Sequence, residues 1–217
     1  MTEKISSWNV GKVKITRIVE IERTGPMFVV PDAIPENIIK MPWLKPYFAD
    51  EKGNTIISVH ALVIETSEKC IIVDTCLGND KERHILAWNN LQTKFLEDLE
   101  RAGYKTTDID TVLCTHLHTD HVGWNTVLIN DKWEPTFKKA DYLFGKDEWN
   151  YTEKQIKIPA YAEFINDSII PIIESGLVKF VEVDEKICEE VKLEPTIGHT
   201  PGHVSIKIES EGKKASI

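Results

Sequence analysis

Thr111-Val112-Leu113-Cys114 is a short apolar run that passes without a break into Thr115-His116-Leu117-His118-Thr119-Asp120-His121. The run reads as a buried strand, and residues two apart on an extended chain point the same way. His116 and His118 therefore present their imidazoles to one side. Asp120 continues that side, and His121 turns as the chain enters Val122-Gly123-Trp124. Any fold this chain adopts must bury the strand in a sheet and leave its C-terminal end open for these polar side chains. A lone histidine is best explained by packing. Four potential ligands within six residues suit zinc or another borderline divalent ion.

A second segment, Gly198-His199-Thr200-Pro201-Gly202-His203, brings five of the seven histidines into two short stretches. A Pro-Gly turn between strands is common, so this segment alone says little. Beside the first it supplies the missing ligand, from His199 or from its rival His203.

The rest of the pattern places these segments on a sheet. Val13 to Val19 alternates and reads as an edge or half-buried strand. Ile56 to Ile64 and Cys70 to Asp74 are apolar runs joined by Glu65-Thr66-Ser67-Glu68-Lys69, a hairpin by length and composition. Leu91, Phe95, Leu96 and Leu99 share a helical face, with Gly103 at the C-cap position. His84 opens a helical region and His60 sits in an apolar strand, and both read as packing or surface residues. Ala140 to Phe144 is a strand, and Tyr161 to Ile170 a helix that Pro171 should kink or end. Val178 to Val183 and Val204, Ile206 and Ile208 alternate again. Strands outnumber helices, and hairpins mix with them, which gives an α/β or α+β class with a mixed sheet.

Between Gly25 and Asp50 lies an irregular arm with five prolines and the large side chains Met27, Phe28, Met41, Trp43, Tyr47 and Phe48. A stretch of that length is usually functional or a packed cover. A wall of a substrate cleft and an oligomer interface are equal readings of it, so a homodimer stays open. Glu153 to Lys157 reads as a solvated face around Ile156. Trp124, next to the histidines, reads either as pocket lining or as packing.

Composition narrows the function classes. With 35 acidic and 26 basic residues the 217-residue chain carries a net −9, which disfavours nucleic acid as the partner. No apolar run approaches the ~18–20 residues of a membrane span. Met1-Thr2-Glu3-Lys4 does not open a secretory signal. Cys70, Cys76, Cys114 and Cys188 are scattered and read as reduced, mostly buried thiols, so the expected compartment is cytoplasmic.

Val73-Asp74-Thr75, the H-x-H-x-D-H run from His116 to His121 and the G-H-T-P-G-H turn together resemble the metallo-β-lactamase fold superfamily of metallohydrolases, from Ile57 to the C-terminus. Trp124-Asn125 and the N-terminal arm look most like its lactonase and organophosphate-hydrolase-like branch. The resemblance implies an αββα sandwich of two mixed sheets flanked by helices. It implies a single domain over 1–217, with an N-terminal strand and covering arm in 1–55 and a metal-binding core in 56–217. It further implies that His116, His118 and His199 hold one metal, that Asp120 and His121 help hold a second, and that Asp74 orients the histidine loop. In the family pattern the first histidine of the turn is the ligand, which leaves His203 as a structural strand-start residue. The flavin-linked di-iron relatives carry Glu at the second histidine position, so His118 argues for a hydrolytic, zinc-type site. The family also expects a bridging Asp and a last His further on. The chain stops before either, so it reads as C-terminally truncated, with the second half of the fold incomplete.

The function expected on this basis is a dinuclear zinc hydrolase of a small ester, lactone, thioester or related substrate. A metal-activated hydroxide attacks, and Asp120 passes a proton to the leaving group. The partner is a small molecule, not nucleic acid or membrane. A non-catalytic metal-binding domain is the alternative. A nuclease of the same fold is disfavoured by the acidic charge.

Overall fold

The computed structural model describes residues 4–25 and 30–217. Phe28 and Met27 of the arm lie outside the described residues. The strands are β1 (Ile5–Val10), β2 (Val13–Gly25), β3 (Thr55–Glu65), β4 (Cys70–Val73), β5 (Thr111–Leu113), β6 (Thr126–Ile129), β7 (Lys132–Pro135), β8 (Asp141–Gly145), β9 (Val178–Val181), β10 (Val191–Pro195), β11 (Val204–Ser210) and β12 (Lys213–Ser216).

Seven of these form one sheet in the order β1-β2-β3-β4-β5-β8-β9. Its first half is antiparallel hairpins. Its second half pairs in parallel, because the connections into β5, β8 and β9 cross over through loops and helices. β10-β11-β12 make a second, antiparallel sheet, and β6-β7 a separate hairpin. The turn of that hairpin is Asn130-Asp131, both at positive φ, as two-residue turns between twisted strands demand.

Two cores sandwich the large sheet. One face carries Val13, Ile15, Ile64, Ile71, Val73, Leu113 and Leu143 against Val191, Leu193, Val204, Ile206 and Ile208 of the second sheet. The opposite face carries Ile18, Val63, Ile72, Val112 and Phe144 against Phe95, Leu99, Phe164, Ile169 and Ile172 from the helical segments. Helix, mixed sheet and second sheet are thus stacked as layers, the expected α/β sandwich. Burying a side chain of this size contributes about 1.5–3 kcal/mol. The hairpin at 56–74, the strand entering the histidines and the strand at 140–144 form where expected.

Several elements differ from the sequence reading. Val13 to Val19 is no edge strand: β1 pairs outside it, and both its faces are covered, with Val13 and Ile15 in one core and Ile18 in the other. The helix begins only at Phe95, so Leu91 precedes it in a loop that Asn79 pins by accepting the Thr93 N–H at 2.7 Å. The region at His84 is not helical. Arg83 binds Asp167 there through both terminal nitrogens, at 2.6 and 3.0 Å, and His84 turns to Glu163. Pro171 does not end its helix, which runs on to Glu174. The path widens into a π-turn over Ile165–Ile169, and Gly176 closes the segment at positive φ. All four cysteines are free thiols, three of them buried.

Candidate metal centre

The site lies at the C-terminal ends of β4 and β5 and at the turn leading into β11. β5 is central, so its end is held by neighbours on both sides, and His116 is 3% exposed just beyond it. Where β4 ends, Asp74 and Cys76 both adopt positive φ. This turns the Asp74 carboxylate onto the histidine loop. It accepts the Thr115 N–H and hydroxyl at 2.8 Å each and faces His121 Nδ1 at 2.7 Å. The segment from Thr75 is zipped to the same loop. Thr75 N–H donates to the His121 carbonyl, Gly123 N–H to Cys76 and Trp124 N–H to Thr75, each at 2.7 Å.

His116, His118 and His199 each bring one ring nitrogen into a group whose members lie within 4.8 Å of one another. His118 Nδ1 and His199 Nε2 are 3.0 Å apart. Two ligands of a tetrahedral zinc, with bonds of ~2.0–2.1 Å, stand about 3.3 Å apart. His116 Nε2 is buried with no hydrogen-bond partner. Leaving such a group unsatisfied costs about 1–3 kcal/mol, and a cation shared with the other two imidazoles would satisfy it. Burial, then the neighbouring imidazoles, pushes His116 far below the usual histidine range, and burial with His199 lowers His118. Both rings are therefore neutral at physiological pH, the state in which imidazole coordinates a metal. The donor set fits a divalent cation.

The other predicted residues flank this trio. His121 Nε2 lies 3.6 Å from Asp120 Oδ2, which sets an imidazole and a carboxylate side by side next to the three nitrogens. Burial works to lower His121, but the Asp74 and Asp120 charges outweigh it and hold the ring at about 9. His203 stands outside the trio. Its ring centre is 4.9 Å from that of His116, and its Nδ1 is 2.8 Å from the Thr196 hydroxyl. His60 bonds Ser58 in β3. Trp124 is packing: it is 3% exposed, stacks on Phe95 and donates its indole N–H to Glu20 at 2.7 Å.

Of the buried carboxylates that escaped the sequence reading, Glu20 and Glu148 bond to the loops around the histidines. Glu20 in β2 accepts the Leu77 and Gly78 N–H groups, the Thr93 hydroxyl and the Trp124 indole. A glutamate inside the apolar run Ile18-Val19-Glu20-Ile21 was its only signal. Glu148, 1% exposed in the helix Lys146–Thr152, accepts the Leu117 N–H at 3.0 Å on one oxygen and the Gly202 N–H at 3.1 Å on the other. In Lys146-Asp147-Glu148 it reads as one more solvated charge.

The family model of the metallo-beta-lactamase superfamily matches residues 54–215, and the chain belongs to that superfamily. Among its relatives, an N-acyl homoserine lactonase of Bacillus cereus is 29% identical over 172 residues, 73% of this chain and 62% of the relative. One from a Bacillus species is 28% identical over 167 residues, 71% of this chain and 60% of the relative. The chain thus spans about 60% of the length of these lactonases. Two solved structures share the fold. The hydrolase AbOPH of the beta lactamase superfamily has a TM-score of 0.76 at 22% identity, over 100% of this chain and 74% of its own. AidC, a dizinc quorum-quenching lactonase with the product N-hexanoyl-L-homoserine bound, has a TM-score of 0.72 at 20% identity, over 98% of this chain and 72% of its own. No helix among the described residues is long and apolar enough to cross a membrane.

Proposed function

We propose that this chain forms the metal-binding part of a zinc-dependent hydrolase that opens a small lactone or ester, with thioesters and related acyl compounds as the wider substrate class. The observation that carries the proposal is the convergence of three imidazoles on one point, with the buried His116 Nε2 otherwise unsatisfied. His116, His118 and His199 hold one ion, and Asp120 with His121 contributes to a second. These residues would hold a cation whose chemistry there would be to lower the pKa of water from about 15.7 to about 7 and to stabilise charge developing on a carbonyl oxygen.

The chain's own residues do the rest. Asp74 holds His121 by Nδ1, leaving Nε2 directed toward Asp120. Asp120 would take on Oδ2 the proton that the attacking water gives up and pass it to the leaving-group oxygen. Trp43, Tyr47 and Phe48, 71%, 69% and 59% exposed, offer apolar surface for the organic part of the substrate. The names of the relatives favour a lactone among the acyl compounds.

The test is zinc content and turnover of the chelator-stripped, zinc-reloaded chain on a panel of lactones and esters. We expect His116→Ala to lose both. Unchanged zinc binding in that variant would remove the basis of the proposal, and zinc held without turnover would leave a metal-binding domain.

A further inference from the structure

Two ligand-bearing segments far apart in the chain must be held at one separation for three imidazoles to share an ion. Apart from the histidines themselves and the main-chain bond from the Val204 N–H to the Thr115 carbonyl, the hydrogen bonds that join them among the described residues run through one side chain. Glu148 receives the N–H of Leu117, which lies between His116 and His118, on Oε1. On Oε2 it receives the N–H of Gly202, in the turn between His199 and β11. Both oxygens of one planar group are thus committed to the two segments, and the residue is 1% exposed.

The turn is also seated directly on this residue. A Cβ at Gly202 would stand 2.4 Å from the Glu148 nitrogen and 2.7 Å from its Cα, so only glycine lets the turn approach this closely. Glu148 itself is fixed from behind, because its helix starts at the end of β8, the strand beside β5. Its backbone position is therefore tied to the sheet that carries the first two histidines.

We propose that Glu148 is a positioning residue of the metal centre: its carboxylate sets the spacing between the His116–His118 segment and the His199 turn, and so the affinity of the site for its ion. This rests on the reading of the three histidines as zinc ligands. The substitution Glu148→Gln keeps the shape but leaves one oxygen to accept, and its NH₂ faces the second N–H donor. Glu148→Asp keeps both acceptors on a shorter stem.

The experiment measures the zinc dissociation constant of the chain by chelator competition, and the melting temperature with and without zinc, for the original protein and both variants. We expect Glu148→Gln to weaken zinc binding by about 10–100-fold, the range for groups that support metal ligands. We expect Glu148→Asp to fall between. The rise in melting temperature on adding zinc should shrink in the same order. A purely structural glutamate would lower both melting temperatures together and leave zinc affinity unchanged in the folded variants, and that result would overturn the proposal. If Glu148→Gln does not fold, Glu148→Asp decides by the same comparison. If the original chain itself binds no zinc, the metal reading fails, and this inference with it. Tight zinc in the original chain and in the variants defeats this inference alone.

Discussion

Gly123 is where the histidine loop comes closest to the loop after β4. A Cβ built there would lie 1.9 Å from the carbonyl carbon and oxygen of Leu77, which are backbone atoms that cannot swing aside. Its φ is ordinary at −59°, so space and not conformation demands glycine. This contact matters because the three backbone bonds that zip Thr75–Cys76 to His121–Trp124 form only at that separation. Gly123→Ala should destabilise the fold by at least about 3 kcal/mol, at the upper end of overpacking costs, because two main-chain segments must part. Gly25→Ala is the control. Nothing lies within 4 Å of its Cβ position, and its stability should stay within about 0.5 kcal/mol of the original. Urea denaturation of the two variants checks both, and equal midpoints would contradict the argument.

The helical stretch from Pro159 to Glu174 shows what sequence patterns convey about an element and what they miss. Pro171 has no N–H, so the carbonyl four residues earlier, Asp167, loses its helical donor. The chain widens there into the π-turn, and the freed carbonyl accepts instead from the Thr126 hydroxyl and from Lys81. Sequence periodicity shows the proline but not its remote rescuers, so it leaves a kink and a helix end as equal expectations, and the structure takes the first. The same limit explains why His116, His118, Asp120 and His121 were legible, being local in the chain, whereas Glu20 and Glu148 were not. Their partners are distant in sequence: backbone N–H groups for Glu148, and for Glu20 two backbone N–H groups with the Thr93 hydroxyl and the Trp124 indole, which no local pattern marks. β1 was missed because Ile5-Ser6-Ser7-Trp8-Asn9 is half-exposed and carries little apolar alternation.

Lys81 gives this element a pH signature. It is 1% exposed, bonds the Thr126 hydroxyl at 2.8 Å and lies 3.7 Å from the Trp133 ring centre. Burial lowers its pKa from 10.5 to about 7, against the opposing pull of Asp167. Between those values the unfolded chain binds a proton that the folded chain does not, so the contribution of Lys81 to stability rises with pH and is lost as pH falls through about 7. The stability of the original protein relative to Lys81→Met should therefore increase from pH 6.5 to 9.5. Unfolding free energies of both proteins at the two pH values test this. A gap that does not change with pH would sink it.

At the scale of the whole molecule, the site exists because two sheets meet at one end. His118 and His199 are 81 residues apart in sequence. They become neighbours where the Val204 N–H, at the start of β11 in the second sheet, donates to the Thr115 carbonyl just past β5 in the first. Packing of Val204, Ile206 and Ile208 against Val73 and Leu113 holds that junction, so the core between the sheets also supports the metal centre. The large aromatic side chains divide between that support and the surface. Trp124 is 3% exposed and bonded to Glu20, whereas Trp43 is 71% exposed on the arm. Trp124→Ala should cost about 3–5 kcal/mol, from the lost ring and the unsatisfied Glu20 together. Trp43→Ala should leave the melting temperature nearly unchanged, because the ring gives up little buried area. If the arm contributes apolar surface to the substrate, Trp43→Ala should instead lower kcat/KM for long-chain acyl lactones more than for short ones. Removing an apolar contact of one or two methylenes' worth costs roughly 1–3 kcal/mol, or about 10–200-fold. Melting curves and a chain-length series on the zinc-loaded protein measure both quantities, and an equal loss for every chain length would remove the arm from the substrate cleft.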